Sequence, residues 1–109
     1  MKDIADAMSR ILADMGDSAD KVAAALEAKG VGGARNTTRI LNPVVNYVVS
    51  ALLISSWRME LTEDDKLRFT IRDGECATVP LPQAVKDFLE AFNRGMYPKL
   101  EMVEPGFVR

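Results

Sequence analysis

The sequence predicts a small α+β domain with an N-terminal helical hairpin, a central buried helix, a three-stranded antiparallel sheet and a C-terminal helix. Apolar residues near both ends of the chain recur at three- and four-residue steps, as on one face of a helix. Between residues 57 and 79 they recur at every second position, as in strands with one buried face. Glycine and proline separate these segments at the places where helices and hairpins usually end.

The helical hairpin is predicted from the first two amphipathic segments. Residues 2–15 carry one apolar face, and Gly16 ends that helix. A second helix over residues 18–29 follows, with Asp17 or Ser18 as its N-cap. Because the joint between the helices is short, we expect them to pack antiparallel against each other.

The central helix is predicted from its start signal. Asn42 is a suitable N-cap, and Pro43 suits the first helical position. The run 44–54 is rich in valine, so a buried strand is the alternative, but its length and its start favour a helix. The run is apolar on nearly all sides, except for a polar stripe that includes Asn46 and Ser50.

The sheet is predicted from alternating apolar residues and one strong hairpin signal. The first two strands carry Trp57, Met59 and Leu61, and then Leu67, Phe69 and Ile71. Asp73-Gly74 indicates the hairpin to the third strand. A three-residue turn with Gly74 in the left-handed conformation places Phe69 opposite Ala77, whereas a two-residue turn places it opposite Thr78. The first register keeps one face apolar and is therefore predicted.

The C-terminal part is predicted to complete a single domain over residues 1–104. Pro82 begins the last helix and Gly95 ends it. Residues 96–104 are expected to be extended, and residues 105–109 to form a flexible tail.

Composition excludes several kinds of site. The chain of 109 residues has a net charge of −2, no histidine and one cysteine, Cys76. Without histidine the usual general base near neutral pH is missing, and so are Ser-His and Cys-His nucleophile pairs. Glu63, Asp64 and Asp65 are interpreted as a hairpin turn rather than as a cation site. We therefore predict a cytoplasmic protein that is not an enzyme, has no cofactor and does not enter a membrane.

A set of residues spread over the chain is similar to a known pattern. The set comprises Leu26, Gly30-Val31, Arg35, Asn42-Pro43, Tyr47, Val79-Pro80-Leu81-Pro82, Ala84-Val85, Phe88, Phe92, Gly95 and Tyr97-Pro98. With these residues the region from about 22 to 100 resembles a family of small uncharacterised actinobacterial and phage-associated proteins, which implies no function. In that family a cysteine commonly precedes the proline, where this chain has Asn42. The C-terminal stretch also resembles the segment before the helix-turn-helix of excisionase-like antitoxins, which implies DNA binding, but the chain ends where that motif would begin.

The favoured function is a protein-interaction module of a bacterium or phage, acting in an accessory or regulatory role. Its predicted interface is the first helix, where methionines lie seven residues apart with isoleucines between them. The candidate interface residues are Ile4, Met8, Ile11 and Met15. A homodimer is the simplest partner arrangement, and packing of this stripe inside the domain is the alternative.

Two other functions have candidate residues. A DNA-associated regulator would use a basic outer face of the sheet with Arg58, Arg68 and Arg72, although a solvated face is the simpler interpretation. An anion-binding protein would use donors in the loop from Gly30 to Arg39, although a plain connection between helices is favoured. The donors of this loop are Gly32, Gly33, Arg35, Thr37, Thr38 and Arg39.

Overall fold

The computed structural model describes residues 2–39, 41–53, 58–72 and 74–101, and confirms the predicted α+β class. The helices are α1 (Lys2–Asp14), α2 (Ala19–Ala28), α3 (Pro43–Leu52) and α4 (Gln83–Asn93). The strands are β1 (Met59–Leu61), β2 (Lys66–Arg72) and β3 (Glu75–Pro80), and a 3₁₀ turn covers Pro98–Leu100.

Side-chain caps fix the starts of α2 and α3. The Ser18 hydroxyl accepts a hydrogen bond of 3.2 Å from the backbone N–H of Lys21. Asn42 Oδ1 accepts from the N–H groups of Val44 and Val45, at 2.9 and 3.2 Å. These bonds satisfy amides that have no partner within the helix. The predicted helix start at Asn42 is confirmed, and the strand alternative for this segment is wrong.

The predicted register of the hairpin is confirmed. The sheet has the order β1-β2-β3 with antiparallel neighbours, and Phe69 pairs with Ala77. Gly74 has the expected positive φ of 78°. The turn itself is tighter than predicted, because Arg72 pairs with Glu75 and the register shifts by a bulge next to Thr70. The bulge supplies the extra residue that we assigned to the turn.

The two N-terminal helices do not form the predicted hairpin. Helix α1 packs mainly against β3 and α3, whereas α2 packs mainly against α4. Periodicity correctly identified an apolar face on each helix, but the faces are covered by different elements. The prediction failed because a short joint constrains where the second helix begins and not which element it contacts.

One hydrophobic core joins the helices to the inner face of the sheet. Its largest fully buried side chains include Met8, Leu12, Leu26, Leu67, Phe88 and Phe92. The rings of Phe88 and Tyr97 lie 5.1 Å apart, and the Tyr97 hydroxyl donates a 2.8 Å hydrogen bond to Asp20. These contacts attach the segment after α4 to α2.

The segment after α4 is not extended throughout, in contrast to the prediction for residues 96–104. It contains the 3₁₀ turn, and Glu101 then forms a parallel bridge with Gly33. Trp57, Asp73 and the predicted tail over residues 105–109 lie outside the described residues.

Candidate functional site

A groove of about 300 Å³ lies between the C-terminal ends of α1 and α2 and one side of α3. Its apolar lining comes from Ile11, Val31, Tyr47 and Ala51, and its polar lining from Asp14, Lys29 and Ser50. Ala51 and the three polar residues are exposed. The groove is therefore open to solvent and has an apolar floor with charge at its rim.

A hydrogen bond links two of the segments that line the groove. Asn46 Nδ2 donates to the backbone carbonyl of Gly32 at 3.1 Å. Val31 precedes Gly32 and Tyr47 follows Asn46, so the bond links the backbones that carry two lining side chains. A Cβ at Gly33 would collide with the backbone leading into α3, and only glycine permits this close approach of the loop.

Leu53 places a large apolar side chain at the end of the helix that lines the groove. It is the C-cap of α3, two residues beyond Ala51, and its side chain is 90% exposed. Its backbone is left-handed, with φ 56° and ψ 46°. That conformation costs an L-residue roughly 1–2 kcal/mol, and helices that end this way usually have glycine there. We call the groove lining together with Leu53 the docking surface.

Two opposite charges at the groove have no ion-pair partner among the described residues. Asp14 ends α1 and Lys29 follows α2, and neither contributes to the ion pairs of this part of the chain. By contrast, Lys21 pairs with Asp17 at 2.9 Å. A carboxylate and an ammonium group are thus free to meet complementary charges on a partner.

The predicted interface on α1 needs correction. Met8 is 0% exposed and Met15 is 2% exposed within this single chain, so neither can contact another chain in this fold. They are buried because α1 lies on β3 and α3, and their stripe fills the space above the sheet. Ile4 and Ile11 are partly buried at the edge of this contact, and Ile11 lines the groove.

Each arginine of the predicted basic face has an acceptor within the described residues. Glu60 forms ion pairs with Arg39 and Arg68. Hydrogen bonding from Arg68 is the main cause that holds the pKa of the Glu60 carboxyl below its usual value, against the opposing effect of burial. Arg72 pairs with Glu75, and Arg58 donates to the backbone carbonyl of Ile71 at 2.7 Å. Of the three predicted basic-face arginines, Arg68 and Arg72 are thus ion-paired, which reduces the unopposed charge that phosphate binding needs.

The glycine-rich loop uses many of its donors internally. The N–H of Gly33 donates to the carbonyl of Leu100 at 2.9 Å, and the Thr37 hydroxyl donates to the carbonyl of Ala34.

The arginines of this loop are ion-paired, Arg35 with Glu101 and Arg39 with Glu60. Gly32 contributes its carbonyl to the bond with Asn46, and the carbonyl of Thr38 accepts from the N–H of Leu61. These contacts fit a structural connection better than an anion cradle.

The remaining candidate positions lie apart from the groove. Cys76 is exposed on β3, and its sulfur lies 3.9 Å from the hydroxyl of Thr70. The acidic run at 63–65 forms the turn between β1 and β2, where Asp65 has a positive φ of 62°. Within the described residues no group of three His, Cys, Asp or Glu side chains could hold a metal ion.

No protein-family model, curated protein or solved structure matches this chain. The resemblance to the actinobacterial and phage-associated family therefore stays a prediction. No helix in the described ranges is long and apolar enough to cross a membrane.

Sequence reasoning named Ile11 as an interface residue and Ser50 as part of a polar stripe, but it did not bring them together in one surface. Its lining comes from three elements that are distant along the chain, and only their packing brings Ile11, Val31 and Tyr47 together. One signal was present in the sequence. Asn46, Tyr47 and Ser50 interrupt an otherwise aliphatic helix, which is typical of a helix side that is not fully covered.

Proposed function

We propose that this protein is a non-enzymatic protein-interaction module that binds its partner through the docking surface. The observation that carries the proposal is Leu53, an exposed leucine held in a left-handed conformation at the end of α3, two residues beyond the groove residue Ala51. Glycine would end α3 without strain, so the leucine side chain needs another reason to be there.

The size and chemistry of the groove support a protein partner. Its volume of about 300 Å³ is at the lower limit for small-molecule pockets, but it is ample for one large apolar side chain. Apolar anchors that fill such grooves, surrounded by a polar rim, supply much of the binding energy at protein interfaces. Asp14 and Lys29 provide that rim here, and Tyr47 offers an aromatic wall.

Site-specific photo-crosslinking in cells that express the protein tests the proposal. A photoreactive phenylalanine analogue replaces Ala51, which is exposed within the groove. We expect a defined protein adduct from this position, and we expect Leu53→Gly to reduce its yield strongly. The absence of a protein adduct from position 51 would contradict the proposal.

Two control positions show whether the adduct is specific to the docking surface. Met96 is the other large exposed apolar residue among those described, at 64%, and it lines a separate groove near the 3₁₀ turn. Thr78 is exposed on β3. Probes at these positions should not give the same adduct. The same adduct from Thr78 and Ala51 would indicate non-specific capture and would count against the proposal.

A further inference from the structure

We propose that the partner bound by the docking surface is a second copy of this chain, in a two-fold symmetric contact. This inference rests on the proposed function and names its partner. In a two-fold contact, residue i of the first chain meets residue j of the second, and residue j of the first chain meets residue i of the second. Each chain must therefore carry both complementary features on one surface.

The shape of the docking surface meets this requirement. Leu53 is an apolar projection and Ala51 belongs to an apolar groove, and both lie at the C-terminal end of α3. Two copies that meet at this end can each insert Leu53 into the groove of the other. A leucine side chain is small enough for a groove of about 300 Å³.

The charges at the groove are also self-complementary. Asp14 and Lys29 have opposite signs, and neither is in an ion pair within the described ranges. A two-fold axis through the contact can place Asp14 of each chain near the partner's Lys29, which forms the same attractive pair twice. Complementary rim charges of this kind favour the correct register and exclude wrong partners.

The contact is small, and we expect a weak, reversible dimer. One groove and one projection from each chain bury less area than a standard stable interface. We therefore expect a dissociation constant on the order of 0.1 mM. Sedimentation equilibrium over a concentration series up to about 1 mM should therefore show a monomer–dimer equilibrium. A wild-type chain that remains monomeric throughout would overturn the inference.

Charge reversal gives the most specific test. Asp14→Lys alone places like charges opposite each other in its own dimer, and Lys29→Asp alone does the same. Each variant should dimerise at least about tenfold more weakly than the wild type. An equimolar mixture should recover dimerisation, because the heterodimer contains two attractive pairs. Failure of the mixture to recover would overturn the inference.

Leu53→Ala should also weaken dimerisation about tenfold, whereas Met96→Ala should leave it unchanged. If instead Met96→Ala dissociates the dimer, the contact lies elsewhere and the inference fails. The proposed function fails separately, through the crosslinking experiment. A wild-type monomer that still gives a Leu53-dependent adduct from position 51 with another protein would overturn the second-copy partner and leave the interaction module supported.

Discussion

The side-chain amide of Asn46 donates a 3.1 Å hydrogen bond to the backbone carbonyl of Gly32, and the chain neighbours of these two residues line the docking groove. Tyr47 follows Asn46 on α3, and Val31 precedes Gly32 in the loop after α2. One partly buried hydrogen bond between α3 and the loop after α2 thus joins the backbones that carry two lining side chains of the docking surface.

Asn46→Ala should weaken docking without removing a docking residue. The carbonyl of Gly32 loses its donor, which should lower the free energy of unfolding by about 1–2 kcal/mol and loosen the groove. Asn93→Ala is a matched control, because it removes a 2.8 Å bond to the N–H of Asn36 in the same loop, away from the groove lining. Urea unfolding should show losses in both variants, while crosslinking from position 51 should fall only with Asn46→Ala. An equal fall in both variants would show that the bond between Asn46 and Gly32 has no special role in docking.

Leu53→Gly should stabilise the fold while it weakens docking. Relief of the left-handed strain at Leu53 exceeds the entropy cost of a glycine, and we expect a gain of about 0.5–1 kcal/mol. Leu53→Ala keeps the strained backbone and should show no such gain. Thermal and urea unfolding at low protein concentration measure this difference. A loss of stability in Leu53→Gly would indicate that the leucine packs within its own chain.

Phe69→Ala should be the most destabilising change considered in the hairpin. Phe69 is 7% exposed and pairs with Ala77 on the inner face of the sheet. Removal of a buried aromatic ring costs about 3–5 kcal/mol. The adjacent exposed residue provides a control, since Thr70→Ala should change the free energy of unfolding by less than about 0.5 kcal/mol. Similar small effects in both variants would contradict the observed register.

Glu60→Gln should reduce stability in a pH-dependent way. The pKa of the Glu60 carboxyl is lowered from 4.5 in the folded chain, mainly by hydrogen bonding from Arg68. A lowered folded pKa contributes stability above the unfolded value, and this contribution is lost as the pH falls through the folded pKa. At neutral pH we expect a cost of about 1 kcal/mol. Urea unfolding of both proteins in steps down through pH 4.5 should show that cost shrinking, and a constant cost would contradict the ionic role of Glu60.

Local features of the fold were predictable because each depends on a few neighbouring residues. Asn42 caps α3 through its own side chain, and Gly74 permits the positive φ of the hairpin. The pairing of Phe69 with Ala77 follows from keeping one strand face apolar. The bulge beside Thr70 was not predicted, since it moves one residue from the turn into the strand and keeps the same apolar face.

The candidate site was less predictable because it depends on contacts between distant segments. The spacing of Met8 and Met15 correctly indicated an apolar stripe, but the same stripe suits a partner chain or the domain's own sheet. The basic face was predicted from the arginines on the strands, whereas the ion pair from Arg39 to Glu60 crosses 21 positions of the chain. Alternation along one strand cannot show which charges the loops bring to it.

Methyl-detected NMR during dilution measures self-docking at its proposed surface. Between about 1 mM and a fiftyfold dilution, the methyl signals of Ile11, Val31, Ala51 and Leu53 should shift together and fit one dissociation constant. The methyl signal of Met96 should remain in place, because that residue lies outside the docking surface. Self-docking at this surface would be contradicted if these signals did not change with concentration. Shifts confined to Met96 and its surroundings would contradict it as well.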